Sequence, residues 1–181
     1  MKKHTFAIAG AALLSAVFLV SVAALVQAEG VSPHIRNFER VIGHWVNEEE
    51  LKESPDAPWQ QVSSEWDWRL MPGGFFAESP GRIKFPDSDD ISWIQVWGFD
   101  PIDQATFTHW FASGGAHGNG IFEWSGTTLN EEVRIILADG TELTERCVQI
   151  HSADFSSMTM TCERLTDGKW WIARKVKGKK T

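Results

Sequence analysis

The sequence predicts an all-β protein, a single antiparallel up-and-down β-barrel of eight to ten strands preceded by one short helix. Apolar and polar residues alternate over residues 62–70, which is the pattern of a half-buried strand. Asp-Gly pairs at residues 139–140 and 167–168 are typical turns between neighbouring strands. Because an open run of hairpins leaves two unpaired edges, we expect the first and last strands to pair and close the barrel.

The predicted elements follow from local signals. Ser32 and Pro33 suit the start of a helix, and apolar residues at helical spacing extend it over about 33–42. Only this one helix is predicted, which argues against the α+β cone of the polyketide-cyclase type. Strand patterns then cover residues 45–51, 62–70, 75–79, 91–99, 105–111, 120–124 and 170–176, with hairpins around residues 139–140 and 153–156 between the last two.

The first 28 residues have the pattern of a secretory signal peptide. Lys2 and Lys3 precede an apolar stretch over residues 6–26, and Ala28 ends a segment that resembles a cleavage site. The stretch is long enough for an uncleaved membrane anchor to be the alternative. We expect cleavage after Ala28, which leaves residues 29–181 as one barrel domain in the periplasm or outside the cell.

Composition narrows the functional classes. Without its first 28 residues the chain has 15 basic and 24 acidic residues, a net charge of −9. Such a charge repels phosphate backbones, so nucleic-acid binding is not expected, nor is membrane attachment after signal removal. Ten Trp and no Tyr indicate either a core filled with indoles or a cavity lined by them. The composition is compatible with a monomer or a homodimer.

A charge ladder is predicted in the last third of the chain. If the loop consists of residues 139–140, Arg134 faces Glu145 across the hairpin, and a turn at 153–156 sets Glu145 opposite Arg164. The three side chains then form either an exterior salt-bridge ladder, which we favour, or a lumen site for a carboxylate.

The same register predicts a disulfide. It makes Cys147 and Cys162 direct cross-strand neighbours, within the distance that a disulfide spans. The two residues are the only cysteines in the chain, and an even pair in an exported protein is a candidate disulfide.

Alternating aromatic residues on several strands predict a binding site, so the leading hypothesis is non-catalytic binding of a small apolar or aromatic molecule in the barrel. The expected ligand-binding residues are Trp66, Trp68, Trp93, Gln95, Trp97, Phe107, His109 and Phe111.

Two other functional classes stay open. His109 with Glu78 or Glu123 would suit a small cofactor-independent hydrolase, isomerase or cyclase, provided that they meet in one pocket. The chain has no recognisable nucleophile or phosphate-binding motif, and the spacing of His109, His117 and Glu123 matches no metal site. The other class is a structural or interaction domain with a solid core.

The residues around the first strand resemble a known superfamily. Gly43-His44-Trp45 is similar to the G-x-W opening of lipocalins and other calycins. The resemblance implies that Trp45 lies at the barrel floor and that Arg174, on the last strand, packs across it. Residues 38–176 also resemble the bacterial family called domain of unknown function 1579, through segments 71–76, 97–101 and 120–126.

The resemblance also bears on haem. Nitrobindins, a related group, hold haem in a similar barrel, but they open with G-x-W-x-G and their haem-ligating His lies near the C-terminal end. Here Val46 and Asn47 follow Trp45, and no His follows His151. These departures disfavour haem, and no cofactor is expected.

Overall fold

The computed structural model describes residues 31–181, so the predicted signal peptide and its cleavage site lie outside the described residues. Ten antiparallel strands account for most of this region, which confirms the all-β prediction. No helix in the described region is long and apolar enough to cross a membrane. The predicted short helix at about 33–42 is present but shorter than predicted, since Arg36–Arg40 form a 3₁₀ helix there.

The strands follow one another along the chain with short connections. Their bounds are β1 Gly43–Leu51, β2 Gln60–Leu70, β3 Phe76–Lys84, β4 Ile91–Asp100, β5 Ala105–Ala112, β6 His117–Ser125, β7 Thr128–Ile136, β8 Glu142–His151, β9 Ser157–Thr166 and β10 Lys169–Lys180.

The barrel is closed, as predicted. Each strand pairs with the next in the chain, and β1 pairs with β10 from Trp45 opposite Lys180 to Leu51 opposite Arg174. Closure satisfies the backbone N–H and C=O groups of both terminal strands, so the sheet has no free edge.

A packed aromatic core fills the end of the barrel next to the 3₁₀ helix. Phe38 is buried there with its ring centroid 5.1–5.5 Å from the ring centroids of Trp68, Trp97, Phe122 and Trp124. The Trp45 indole N–H donates to the Val41 carbonyl oxygen at 2.9 Å. The 3₁₀ helix therefore acts as the floor of the barrel.

The β7–β8 hairpin differs from the predicted register. Its loop has three residues rather than two, since Leu137 N–H donates to the Thr141 carbonyl and Gly140 adopts a φ of 86°. The extra residue shifts the pairing, so Glu145 faces Val133 and Arg134 faces Thr144. The predicted Arg134–Glu145 pair is therefore wrong.

The β8–β9 hairpin has the predicted register. Cys147 pairs with Cys162, and a disulfide joins them. Glu145 pairs with Arg164, as expected.

A bulge in β10 controls which residues of this strand face the lumen. The register against β9 shifts between Ile172 and Arg174, which leaves Ala173 as the extra residue. Ala173 is buried, and its carbonyl oxygen accepts a hydrogen bond from Lys52 N–H. Because side chains alternate along a strand, the extra residue turns Arg174 inward.

Candidate functional site

The half of the barrel away from the floor holds a cavity. An inner chamber of about 90 Å³ lies above the aromatic core, and a wider mouth of about 390 Å³ lies next to it. The two are adjacent, because they share wall residues. The shared residues are Trp93, Gln95, Trp110, Ile135, Glu145 and Arg174.

Five of the eight predicted ligand-binding residues line this cavity. They alternate along two strands, Trp66 and Trp68 on β2 and Trp93, Gln95 and Trp97 on β4. Period-2 alternation on each strand brings them to the same face, which is the face turned to the lumen. Their role in binding a ligand stays a prediction.

The three predicted residues on β5 lie on the wrong face. Phe107, His109 and Phe111 point to the outside of the barrel, and Phe111 is 52% exposed. The lumen side of β5 carries Thr108, which is fully buried, and Trp110, which lines the cavity. Both faces of β5 carry aromatic residues, so alternation could not identify the inner face.

The candidate catalytic residues do not meet in the cavity. Glu78 faces outward and forms an ion pair with Arg69, with 2.7 Å between Oε1 and Nε. His109 and Glu123 are both exposed on the outer surface. These three residues therefore do not form the common pocket that the hydrolase, isomerase or cyclase hypothesis requires.

Arg174 forms a buried ion pair near the chamber. Its Nε and Nη2 donate to the two carboxylate oxygens of Glu49 at 2.8 and 2.9 Å, and Ser64 also donates to Glu49. The side chain of Glu49 has no solvent exposure. Two parallel bonds of this kind are the strongest geometry for an Arg–carboxylate pair.

The expected packing of Arg174 across Trp45 is wrong. Arg174 pairs with Leu51 at the mouth end of β1, whereas Trp45 pairs with Lys180. Six residues of strand separate the two positions, about 20 Å. Trp45 packs instead against the edge of the His151 ring, with 5.5 Å between ring centroids.

A second ion pair lies at the mouth. Arg164 Nη2 donates to Glu145 Oε2 at 3.0 Å, and both side chains are mostly covered. Arg134, in contrast, pairs with Glu142 on the outer surface. The favoured exterior ladder of Arg134, Glu145 and Arg164 is therefore wrong, because the ladder is divided between the two faces of the sheet.

Glu131 on β7 is the third carboxylate of the lumen. Gln95 Nε2 and Trp97 Nε1 donate to its Oε1 at 2.6 and 3.1 Å. Within the described residues no Lys, Arg or His forms a salt bridge with it. Burial is the main cause that raises the pKa of Glu131 to about 7, and hydrogen bonds from Thr108 and Trp97 partly oppose it. This carboxyl can therefore gain or lose a proton near neutral pH.

His151 lies in the floor, beneath the cavity. It is buried against Trp45, Trp124 and Phe155, and its Nε2 lies 2.9 Å from Gln149 Nε2. Burial, with smaller contributions from the charges of Lys180 and Arg40, lowers the pKa of His151 to about 4. The imidazole is therefore neutral at neutral pH.

Sequence reasoning missed Trp110, Glu131, Gln149 and the inward orientation of Arg174. Trp110 was missed because it alternates with the three residues predicted on β5, so that prediction placed it on the opposite face. Glu131 gave none, because it is followed by a second glutamate and either could have faced outward.

Comparisons with known proteins find one family profile that matches the chain and solved structures with similar folds. The profile of the family described as Protein of unknown function (DUF1579) matches residues 32–173. No curated protein matches the chain.

Two solved structures have related folds. The crystal structure of Rv2717c from M. tuberculosis is 12% identical with a TM-score of 0.61, over 84% of this chain and 99% of that one. The structure of EF1p2_mFAP2b bound to DFHBI is 9% identical with a TM-score of 0.44, over 82% of this chain and 99% of that one. At these identities the first similarity shows the fold alone, and the second is too weak to bear on function.

Proposed function

The chain belongs to the DUF1579 family of proteins of unknown function, and we propose that it is an exported barrel that binds a small molecule with a flat apolar or aromatic body. The observation that carries this proposal is the cavity, an indole-lined inner chamber with a wider mouth next to it. A barrel of this size has room for side chains or for one small ligand.

The composition of the wall supports ligand binding. Trp66, Trp93, Trp97 and Trp110 supply large, rigid apolar surfaces, and Gln95 and Glu131 supply a few polar groups. Binding sites for small molecules typically combine an apolar lining with a small number of placed polar groups. The mouth, at about 390 Å³, is within the usual size range of such sites.

The two halves of the barrel differ in packing, and this difference favours ligand binding over a purely structural role. The floor half is filled by Phe38 and its neighbouring rings, which belong to the hydrophobic core cluster of the barrel. The polar residues in the other half do not add to that core, and burying charged groups inside a protein costs stability. A ligand-binding role accounts for that cost, whereas a solid structural core has no need of it.

Export is supported by two features of the chain. The N-terminal pattern is that of a signal peptide, and the Cys147–Cys162 disulfide suits an oxidising compartment. Intact mass measured on the secreted protein tests both, since cleavage after Ala28 and the loss of two protons give defined masses.

The binding proposal is tested by mass spectrometry of the full chain after secretion into the periplasm of a bacterial host. Spectra recorded under native and denaturing conditions should differ by the mass of a released small molecule. A second measurement uses 2-naphthol as the probe and tryptophan fluorescence as the readout. We expect saturable quenching with a dissociation constant in the micromolar range or below.

A pair of variants locates that binding. Ser79 lies in the chamber wall, whereas Ser63 is exposed on the outside of β2. Ser79→Leu should fill the chamber and weaken 2-naphthol binding at least about tenfold, and Ser63→Leu should leave it unchanged. Absence of both a released molecule and saturable 2-naphthol binding would refute the proposed function.

A further inference from the structure

The charged groups inside the barrel do not balance one another. Arg174 is paired with Glu49, and Arg164 with Glu145, so each arginine is already neutralised by its own carboxylate. Glu131 has no such partner in the described chain. When Glu131 is ionised, the lumen carries one net negative charge in a partly desolvated space, where charge interactions are strong.

Glu131 has hydrogen-bonding capacity left for a ligand. An ionised carboxylate offers about four acceptor sites. Gln95 and Trp97 both donate to Oε1. A ligand N–H group that reaches Glu131 would therefore find an acceptor without displacing a protein donor.

Three of the chamber's indoles do not direct their N–H groups into it. The Nε1 atoms of Trp66 and Trp68 are buried beyond the reach of solvent, although both residues line the chamber. The N–H of Trp97 is directed to Glu131. Aromatic carbon surfaces attract cations through the ring quadrupole, and several rings around a carboxylate form a site of the kind that binds organic ammonium groups.

We propose that the lumen selects a small organic cation, an aryl or alkyl group with an amidinium or ammonium head, whose head pairs with Glu131 between the indole rings. This inference rests on the proposed function and specifies the chemistry of its ligand. A cation brings the charge of the lumen to zero, whereas an anion would double the imbalance. An anion would also need an arginine that is already paired, and separating either pair exposes a buried carboxylate.

Three ligands of nearly the same shape test this inference. Benzamidine, benzamide and benzoate share one ring and differ in charge, being cationic, neutral and anionic at pH 8. Calorimetric titration of the secreted full chain should give a dissociation constant for benzamidine at least about tenfold lower than for the other two, as one charge-assisted bond predicts.

Two matched variants assign the preference to one carboxylate. Glu131→Gln keeps the shape of the side chain and removes its charge, so the preference for benzamidine over benzamide should disappear while benzamide binding is retained. Glu132→Gln removes the adjacent charge on the outer face of β7 and should leave the preference unchanged. Circular dichroism establishes that both variants fold, and the wild-type ranking of the three ligands stands without them.

Each outcome has a defined meaning. If benzamide or benzoate binds as tightly as benzamidine, or if Glu131→Gln retains the preference, the inference is overturned and the proposed function stands. If none of the three binds, 2-naphthol also fails to bind and no small molecule is released from the secreted chain, the proposed function fails and this inference fails with it. If 2-naphthol binds and none of the three does, the inference alone is overturned.

Discussion

Burial raises the pKa of Glu131 and lowers the pKa of His151. The two shifts therefore make stability depend on pH in opposite directions. His151 has a pKa of about 4 in the barrel against 6.5 ordinarily, so in that window the unfolded chain binds the extra proton and stability falls as the pH falls. Glu131 has a pKa of about 7 against 4.5, so here the folded chain binds the extra proton and stability falls as the pH rises. Across its own pH window, each shift changes the free energy of unfolding by on the order of 3 kcal/mol.

Replacing Glu131 should separate the two effects. We expect Glu131→Gln to raise the free energy of unfolding at pH 8 by up to about 3 kcal/mol and to change it little at pH 4.5. The variant should then gain stability steadily from pH 4 to 6.5, as His151 alone requires. Urea unfolding followed by tryptophan fluorescence at several pH values measures this. Equal pH profiles for Glu131→Gln and the wild type would contradict it.

The Glu49–Arg174 pair is a second residue-scale test. Arg174→Met leaves a fully buried carboxylate without its partner, so we expect a loss of about 3–5 kcal/mol in the free energy of unfolding. Glu49→Gln combined with Arg174→Met should recover part of that loss, because no charge is then left unpaired. Lys175→Met, at the exposed neighbouring position, serves as the control and should change stability by less than about 0.5 kcal/mol. The same urea titrations decide among these outcomes.

At the scale of elements, single inserted residues control which side chains reach the lumen. The bulge at Ala173 turns Arg174 inward, and the third loop residue between β7 and β8 separates Arg134 from Glu145. Each insertion shifts a strand by one position, and with a side-chain period of two such a shift exchanges inner and outer faces. The set of side chains that line the cavity therefore depends on insertions of a single residue.

The disulfide links β8 to β9 across their hairpin. It closes a loop with a sequence separation of 15 residues, for which the chain-entropy model gives about 3 kcal/mol. Cys147→Ser combined with Cys162→Ser should lower the free energy of unfolding by about that amount, measured by urea unfolding. Adding a reductant to the wild type should have the same effect and none on the double variant. If the reductant leaves the free energy of unfolding of the wild type unchanged although its mass rises by two protons, the disulfide contributes nothing to stability.

At the scale of the whole molecule, closure joins the two ends of the described chain. The β1–β10 pairing spans Trp45–Leu51 and 174–180, so the most distant strands in sequence are neighbours in space. Contacts of high sequence separation are slow to form because the intervening loop must close first. Closure also places β7 and β4 on opposite sides of the lumen. Glu131 on β7 therefore accepts hydrogen bonds from Gln95 and Trp97 on β4.

Hydrogen–deuterium exchange tests closure directly. Amides of β1 and β10 that take part in their mutual pairing should exchange as slowly as those of the central strands β5 and β6. Peptides from the loop at residues 52–59 provide a fast-exchanging reference in the same sample. Exchange within seconds throughout β1 and β10 would mean that the barrel is open at this seam.

Local pattern was sufficient for much of the fold. Alternation predicted that Trp66 and Trp68 share one face of β2 and that Trp93, Gln95 and Trp97 share one face of β4. A single correctly located turn predicted that Cys147 faces Cys162. Local pattern was not sufficient for β5, where aromatic residues occur on both faces and alternation has no preferred phase.

The sequence by itself determined that this chain forms a tryptophan-rich antiparallel barrel with one disulfide, because strand period, turn residues and hairpin pairing are local properties. The tertiary structure alone decided what faces the cavity. Glu131 and Trp110 reach it because one face of each strand in the closed ring turns inward, and Arg174 reaches it through the bulge in β10. Which phase of each alternation faces inward is left open by the sequence. The unpaired charge of the lumen, on which the proposed ligand chemistry depends, is visible only once those phases are set.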